Sequence, residues 1–270
     1  MEFAFSKYNG CGNDFILIDN RSRCFPVANA PFIQRLCERQ RGIGADGLIL
    51  LEPSASADFR MRIFNADGFE TEMCGNGARC IAKFARELGM SKNAFTIETM
   101  HRTLHATLDE AAITIDMGIP LDIEWSIPIS VNEISLTLHH LNTGVPHAVI
   151  FVEDIEDPQW MQLAPKIRSH PYFPAKGVNV NFAAIQQTEI LIRTYERGVE
   201  GETLACGTGA TATAITAAVL YKMESPISIR TRSGDLLKIK LEASPKIQNV
   251  CMEGPASCTF KGKFISPLFS

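Results

Sequence analysis

Two cysteines occupy matched settings in this chain. Glu70-Thr-Glu-Met-Cys74-Gly-Asn-Gly77-Ala and Glu202-Thr-Leu-Ala-Cys206-Gly-Thr-Gly209-Ala both spell E-T-x-x-C-G-x-G-A, 132 residues apart. Each cysteine opens a helix-like stretch. There the backbone N–H groups lack intrahelical partners and the macrodipole favours negative charge. A thiol ordinarily titrates near about 8.5, and a helix N-terminus lowers that value and supplies thiolate. The glycines let backbone approach a ligand, and the exposed N–H groups suit a carboxylate. One such cysteine alone reads first as a small core residue in a turn. A pair, placed on either side of one carbon, forms a base and an acid for a one-proton inversion. The structural alternative, a Cys74–Cys206 disulfide, conflicts with a cytoplasmic composition.

The elements that must carry these thiols repeat as well. In the first half, Phe3-Ala-Phe and Phe15 to Asp19 read as strands flanking a loop from Asn9 to Asp14. Asn29 and Pro31 start a helix with the apolar stripe Phe32, Ile33, Leu36 and Cys37, ended by Gly42. Strands over 47–51 and 58–64 follow, then a helix over 78–88 ended by Gly89, then alternating segments 94–99, 102–108 and 111–116. The second half offers strands at 134–141 and 147–152, and a helix with Asp157 as N-cap and Pro158 at its first position. Strands at 178–184 and 190–195 precede a helix over 208–222; runs 226–231, 236–241, 247–252 and 258–265 close the chain. Each half reads β-β-α-β-β-α-β-β-β. Gly12-Asn-Asp-Phe-Ile-Leu-Ile also aligns with Gly144-Val-Pro-His-Ala-Val-Ile at the same offset. A duplicated α+β unit is the economical account, with pseudo-symmetric domains over 1–118 and 119–256 and an active site in the cleft they form.

Composition narrows the function classes. The 270 residues, 46% hydrophobic and 21% charged, are ordinary for a globular protein with room for two cores. A net charge of −4 without a basic run argues against nucleic acid or an anionic membrane as partner. Met1-Glu-Phe-Ala-Phe-Ser lacks the marks of a signal peptide, and the uncharged stretch Leu204 to Tyr221, rich in Thr and Ala, reads as a buried helix rather than a membrane span. Cys11, Cys24, Cys37, Cys74, Cys80, Cys206, Cys251 and Cys258 contain no C-x-x-C pair. Reduced thiols and a cytoplasmic location are expected, with no metal ligands assigned. Cys80 reads as core, and His101, His105, His139 and His140 as solvent-facing strand residues. Gly10-x-Gly12 and Gly75-x-Gly77 lack the third glycine of a dinucleotide fingerprint.

The ordered motifs resemble those of the diaminopimelate epimerases along essentially the whole chain. In the first half they are Asn9-Gly-Cys-Gly-Asn13-Asp14-Phe, Gly42-Ile-Gly-Ala-Asp46-Gly, Phe64-Asn65-Ala-Asp-Gly and Cys74-Gly-Asn-Gly-Ala-Arg79-Cys. In the second they are Gly144-Val-Pro-His147, Val178-Asn179-Val-Asn, Tyr195-Glu196-Arg197-Gly and Cys206-Gly-Thr-Gly. The resemblance implies two related α+β domains, each a mostly antiparallel strand layer about a central helix, with the C-terminal strand (257–270) returning to the first. It implies epimerisation of LL-2,6-diaminopimelate to the meso form, a step towards lysine and cell-wall precursors. No pyridoxal phosphate, metal or other cofactor is used, and a homodimer is expected.

Carried over by motif, the resemblance implies Cys74 and Cys206 as the acid/base pair, with His147 and Glu196 tuning the thiols. Asn13, Asn65, Asn76, Asn179, Glu196 and Arg197 would hold the distal amino-acid end and the reacting amine and carboxylate. Gly75, Asn76, Gly207 and Thr208 would offer N–H groups to the α-carboxylate. A bidentate arginine suits a carboxylate, and an asparagine is donor and acceptor at once. Three positions depart from the family pattern. Val145 stands where many members carry a substrate-binding Asn, Gly47 where some have Gln, and the stretch Glu196 to Glu202 is one residue longer than E-R-G-x-G-E. Val145 and Gly47 motivate a racemase of glutamate or a proline derivative as the alternative enzyme. A non-catalytic amino-acid-binding module is the alternative from another class.

Overall fold

The computed structural model describes residues 2–71, 74–110, 112–244 and 246–265. Glu72 and Met73 of the first motif, residue 111 of an expected strand, and residues 266–270 of the expected C-terminal return lie outside the described residues. The chain divides into two compact units, Met1–Ile115 with Gly254–Ser270, and Asp116–Glu253.

In the first unit, β1 (Glu2–Gly10) and β2 (Asn13–Asp19) form a hairpin closing at Gly10↔Asn13. The segment expected as a loop is therefore the end of this hairpin. Cys11 and Gly12 supply the two positive φ angles, 62° and 83°, that such a two-residue turn requires. Helix α1 (Ala30–Cys37) is capped by Asn29, whose Oδ1 accepts from Phe32 N–H at 3.0 Å. It ends at Cys37, before Gly42, because Glu38 is already extended and the N–H groups of Ile43 and Gly44 fold back onto Leu36 O. Strand β3 (Gly47–Glu52) lies parallel to β2 and antiparallel to β4 (Phe59–Asn65), which pairs with the short β5 (Glu70–Thr71). Helix α2 (Gly75–Glu87) and strands β6 (Ala94–Glu98), β7 (Thr103–Leu108) and β8 (Ile113–Asp116) follow. All of β3 is buried, as a strand covered on both faces must be. Leu48 and Leu50 pack with Ile33 and Leu36 of α1, while Ile49 meets α2 at Gly77. Helix α2 packs on β1, β2, β3, β4 and β7, so it is the centre of its unit.

The second unit runs β9 (Leu121–Val131), β10 (Ile134–Asn142), β11 (Pro146–Phe151), α3 (Gln159–Arg168), β12 (Asn179–Gln186), β13 (Glu189–Glu196) and β14 (Gly201–Thr203). Then come α4 (Gly207–Leu220), β15 (Ile227–Arg230), β16 (Leu236–Glu242) and β17 (Gln248–Gly254). The last strand, β18 (Ser257–Ile265), pairs antiparallel with β1 from Glu2↔Ile265 to Asn9↔Ser257. In pairing order, β18-β1-β2-β3-β4-β5 thus repeats β9-β10-β11-β12-β13-β14. Sequence reading passes over β9 although Ile123 to Val131 alternate apolar and exposed positions, because Pro128, opposite Thr137 of β10, interrupts the run. Helix α3 starts one residue later than expected. Pro158 holds the cap position, while the Asp157 carboxylate still accepts from Gln159 N–H at 2.8 Å. Helix α4 is buried from Gly207 to Ala218 and packs on β10, β11, β12, β15 and β16. Among the described residues no helix is long and apolar enough to cross a membrane. Two expected surface histidines turn inward: His139 is buried, its Nδ1 accepting from Ser126 N–H at 3.1 Å, and both ring nitrogens of the half-buried His140 are buried.

Candidate active site

Cys74 is the N-cap of α2, extended at φ −139° and ψ 118°. The helical ladder begins with Ala78 N–H donating to Cys74 O at 2.8 Å, so the N–H groups of residues 75 to 77 lie ahead of it. The Cys74 thiol donates to Asn13 Oδ1 at 3.4 Å. An amide carbonyl only accepts, so this contact is one that S–H makes and thiolate does not. The Asn13 amide is oriented by its other end, where Nδ2 donates to Asp46 Oδ2 at 2.7 Å. Asp46 in turn takes Arg39 Nη2 at 2.7 Å, and the same Nη2 reaches Asp14 Oδ1 at 2.9 Å. Burial alone would push the Asp14 carboxyl up, but hydrogen bonds from Arg39 and Lys7 outweigh it and hold the group at about 2. Behind the cysteine, the fully buried Arg79 donates to Asn76 Oδ1 at 2.9 Å and to Pro255 O at 3.2 Å.

Cys206 is the N-cap of α4 with nearly the same backbone, φ −124° and ψ 108°, and Ala210 N–H opens its ladder on Cys206 O at 2.9 Å. Its sulfur lies 3.4 Å from Thr208 Oγ1, a hydroxyl able to donate to thiolate or accept from thiol. Thr143 Oγ1 donates to Thr208 O at 2.8 Å and ties this first turn to the β10–β11 corner. Asn179 Oδ1 accepts from Arg197 N–H at 2.8 Å, and Arg197 Nη1 donates to Gly177 O at 3.1 Å. His147 is fully buried; burial, then the nearby Arg197 and His140, push its imidazole down to about 3, so it is neutral.

Sheet register explains why distant sequence positions share one end of each strand layer. In the second unit, His147 pairs with Asn179 across β11–β12, and the β12–β13 register ends at Val180↔Tyr195, with Asn179 and Glu196 the next residue on each strand. In the first unit the corresponding line is Phe15↔Gly47↔Asn65. Each motif's glutamate is clamped the same way. Arg62 meets Glu70 through two hydrogen bonds of 2.9 and 2.6 Å, and Arg193 meets Glu202 through two of 2.7 and 2.9 Å. Each pair is a cross-strand diagonal, on β4–β5 and β13–β14, and fixes the register of the short strand leading to the cysteine.

The family model for diaminopimelate epimerase matches residues 5–121 and 140–259. A diaminopimelate epimerase of Flavobacterium psychrophilum is 42% identical over 259 residues, 94% of this chain and 97% of that protein. The chain belongs to the diaminopimelate epimerase family. A second member of the family, from a Hydrogenobaculum species, is 40% identical over 98% of this chain and 99% of its own length. The fold also matches a phenazine biosynthesis protein of the PhzF family from Bacillus anthracis, with a TM-score of 0.74 at 17% identity, covering 98% of this chain and 100% of that one.

Within this epimerase-family frame, Asn13, Cys74 and Asn76 come together in the first unit, as do Cys206, Gly207 and Thr208 in the second. Asn65 stands exposed at the end of β4, its carbonyl accepting from Gly68 N–H at 2.9 Å. The residue extra to the usual motif is absorbed in the β13–β14 turn. Glu200 takes φ +56°, its N–H donates to Glu196 O, and its carboxylate holds Arg168 at 2.7 Å. Gly47 tolerates no side chain on this backbone, since a Cβ would stand 2.5 Å from Phe64 O. Sequence reading missed Arg62, Arg193, Asp46 and Asn181. The motif glutamates were visible, but their arginine partners are set by register, which no spacing rule reveals. Among the described residues no three His, Cys, Asp or Glu side chains gather as a metal site would.

Proposed function

We propose that this chain converts LL-2,6-diaminopimelate to the meso isomer by inverting one α-carbon, with Cys74 and Cys206 as the two proton-transfer groups. The observation that carries the reading is that each cysteine caps the central helix of its own unit, on the same strand frame, in a chain of this family over nearly its full length. Two-base inversion requires one thiolate to take the α-proton and one thiol to deliver a proton to the opposite face. The N–H groups of Gly75, Asn76, Gly77, Gly207 and Thr208 suit the negative charge that develops on the α-carboxylate, and such fixed donors are each worth about 3–4 kcal/mol in a transition state. Asn13, Asn65, Asn76, Asn179, Glu196 and Arg197 hold the ammonium and carboxylate groups of the substrate, while His147 and Glu196 tune the thiols. The enzyme works in the cytoplasm as a homodimer without pyridoxal phosphate or metal.

The test is incubation of the purified protein with the LL isomer in D2O, where meso product carrying deuterium at the inverted carbon is expected. Neither product nor deuterium would refute the reading. Cys74→Ala and Cys206→Ala should each abolish inversion, and full activity in either would refute the two-base scheme. Val145 and Gly47 favour one second reading, a racemase of glutamate or a proline derivative. Exchange on such an amino acid but not on diaminopimelate would establish it, whereas binding without exchange at any pH would mark a binding module.

A further inference from the structure

Asn181 and His147 are both fully buried, and neither is explained by packing alone. The Asn181 amide nitrogen lies 3.0 Å from Ala148 O and 3.0 Å from His147 Nδ1, while its Oδ1 accepts from Thr194 Oγ1 at 3.0 Å. A backbone carbonyl only accepts, so the atom facing Ala148 O is the NH2 group and the amide cannot be flipped. Both amide hydrogens are then assigned: one to Ala148 O, the other to His147 Nδ1. The ring nitrogen that receives it must present a lone pair. A neutral imidazole with a bare Nδ1 carries its hydrogen on Nε2.

We infer that Asn181 is a positioning residue that locks His147 as the Nε2–H tautomer, making this histidine a hydrogen-bond donor to the reaction rather than a proton acceptor. His147 Nε2 is buried without a hydrogen-bond partner among the described residues. An unsatisfied buried N–H is destabilising, so such a group persists where it gains an acceptor in function. The acceptor class is anionic: a substrate carboxylate oxygen, or the sulfur of a thiolate. That clause rests on the epimerase reading; the tautomer assignment does not. Beyond burial, the nearby charge of Arg197 and then His140 oppose a second proton on the ring. The same amide lies against the first turn of α4, because a Cβ at Gly209 would come within 2.2 Å of Asn181 Oδ1. Asn181 thus joins the histidine, the strand β13 hydroxyl and the turn after Cys206 in one set of contacts.

The experiment is 15N–1H correlation NMR of the full chain labelled on histidine, with inversion kinetics on LL-2,6-diaminopimelate. His147 is expected as the neutral Nε2–H form at pH 7; an Nδ1–H form or an imidazolium overturns the inference without any variant. Asn181→Asp replaces the donor by an acceptor, so Nδ1 should become protonated, with kcat reduced roughly 10- to 100-fold and KM within a few-fold. A switched tautomer with unchanged kcat overturns the functional half. If the Asp variant does not fold, the wild-type spectrum still decides. A wild-type Nε2–H spectrum with no inversion at all would overturn the epimerase reading and leave the tautomer assignment standing.

Discussion

The second glycine of each C-G-x-G turn answers to a different neighbour, and alanine at the two positions separates the reasons. At Gly77 a new Cβ would meet Ile49 Cδ1 at 2.8 Å and Ile63 Cδ1 and Met61 Cε at 3.3 Å, all ends of flexible side chains. Those methyls can rotate away, and overpacking of this kind costs about 1–2 kcal/mol. At Gly209 the Cβ would meet Asn181 Oδ1 at 2.2 Å, more than an ångström inside contact distance. That oxygen cannot retreat alone, because the amide is held by Thr194, Ala148 and His147. Moving it breaks hydrogen bonds among fully buried groups, at about 1–3 kcal/mol for each group left unsatisfied. Gly209→Ala should therefore cost about 3–5 kcal/mol, lowering the unfolding midpoint by roughly 6–15 °C against about 2–6 °C for Gly77→Ala. Thermal and urea unfolding of the two variants beside the parent make the comparison. Equal losses would refute the argument, since they would mean that Asn181 yields as readily as a leucine-sized methyl. A Gly209→Ala protein that retains the parent's His147 spectrum would refute it equally.

Other perturbations follow from the same geometry. Glu202→Gln leaves the Arg193 guanidinium, only 9% exposed, with a neutral partner; a loss of about 2–3 kcal/mol is expected, recovered in part by Glu202→Asp, and a cost under 0.5 kcal/mol would show that the clamp carries nothing. Asp14 is held at about 2 against an ordinary 3.8, so its contribution is complete above pH 4 and is lost as pH falls towards 2. The difference is worth about 2 kcal/mol, and Asp14→Asn should flatten that part of the acid unfolding curve measured by urea titration at stepped pH. Arg79→Leu strands buried carbonyls of Asn76 and Pro255 and should cost about 3 kcal/mol, whereas a midpoint within 2 °C of the parent would contradict the assigned hydrogen bonds.

The proposed pair of cysteines stood out because duplication turned a weak local signal into a strong one. A cysteine before Gly-x-Gly says little, but two at one offset, each opening an apolar helix, say where the backbone donors must be. The helices followed from periodicity and caps, as with Asn29 at α1, but their ends were read less well: α1 stops at Cys37 rather than before Gly42, where a loop folds back, and α2 starts at Gly75 rather than at residue 78. Strand β9 was passed over although Ile123, Trp125, Ile127, Ile129 and Val131 alternate with exposed residues; the proline inside the run reads against a strand. The Asn9–Asp14 stretch was misread for the opposite reason: its glycines signal a turn, and the turn is two residues long inside continuous strand pairing. Register is what sequence inspection lacks most. It decides that Arg193 reaches Glu202, and that Asn181 reaches His147, at separations that follow no motif.

The duplication has kept the frame and let the side chains diverge, and the substrate explains why. Phe15, Gly47 and Asn65 line one sheet end; at the other unit's equivalent His147 pairs with Asn179, and Glu196 follows the last β12–β13 pair, Val180↔Tyr195. Gly47 cannot take up the role of Asn179, because Phe64 O occupies the place of its Cβ. The thiols differ too, Cys74 beside a carbonyl that only accepts and Cys206 beside a hydroxyl that can donate. Under the proposed two-cysteine scheme, two copies of one helix N-terminus supply the two acids of comparable strength that a reversible inversion needs. The groups around the reacting carbon are not alike: an ammonium, a carboxylate and a long side chain must each be held once. Equivalence at the backbone with difference in the side chains is therefore what the reaction demands of a duplicated fold.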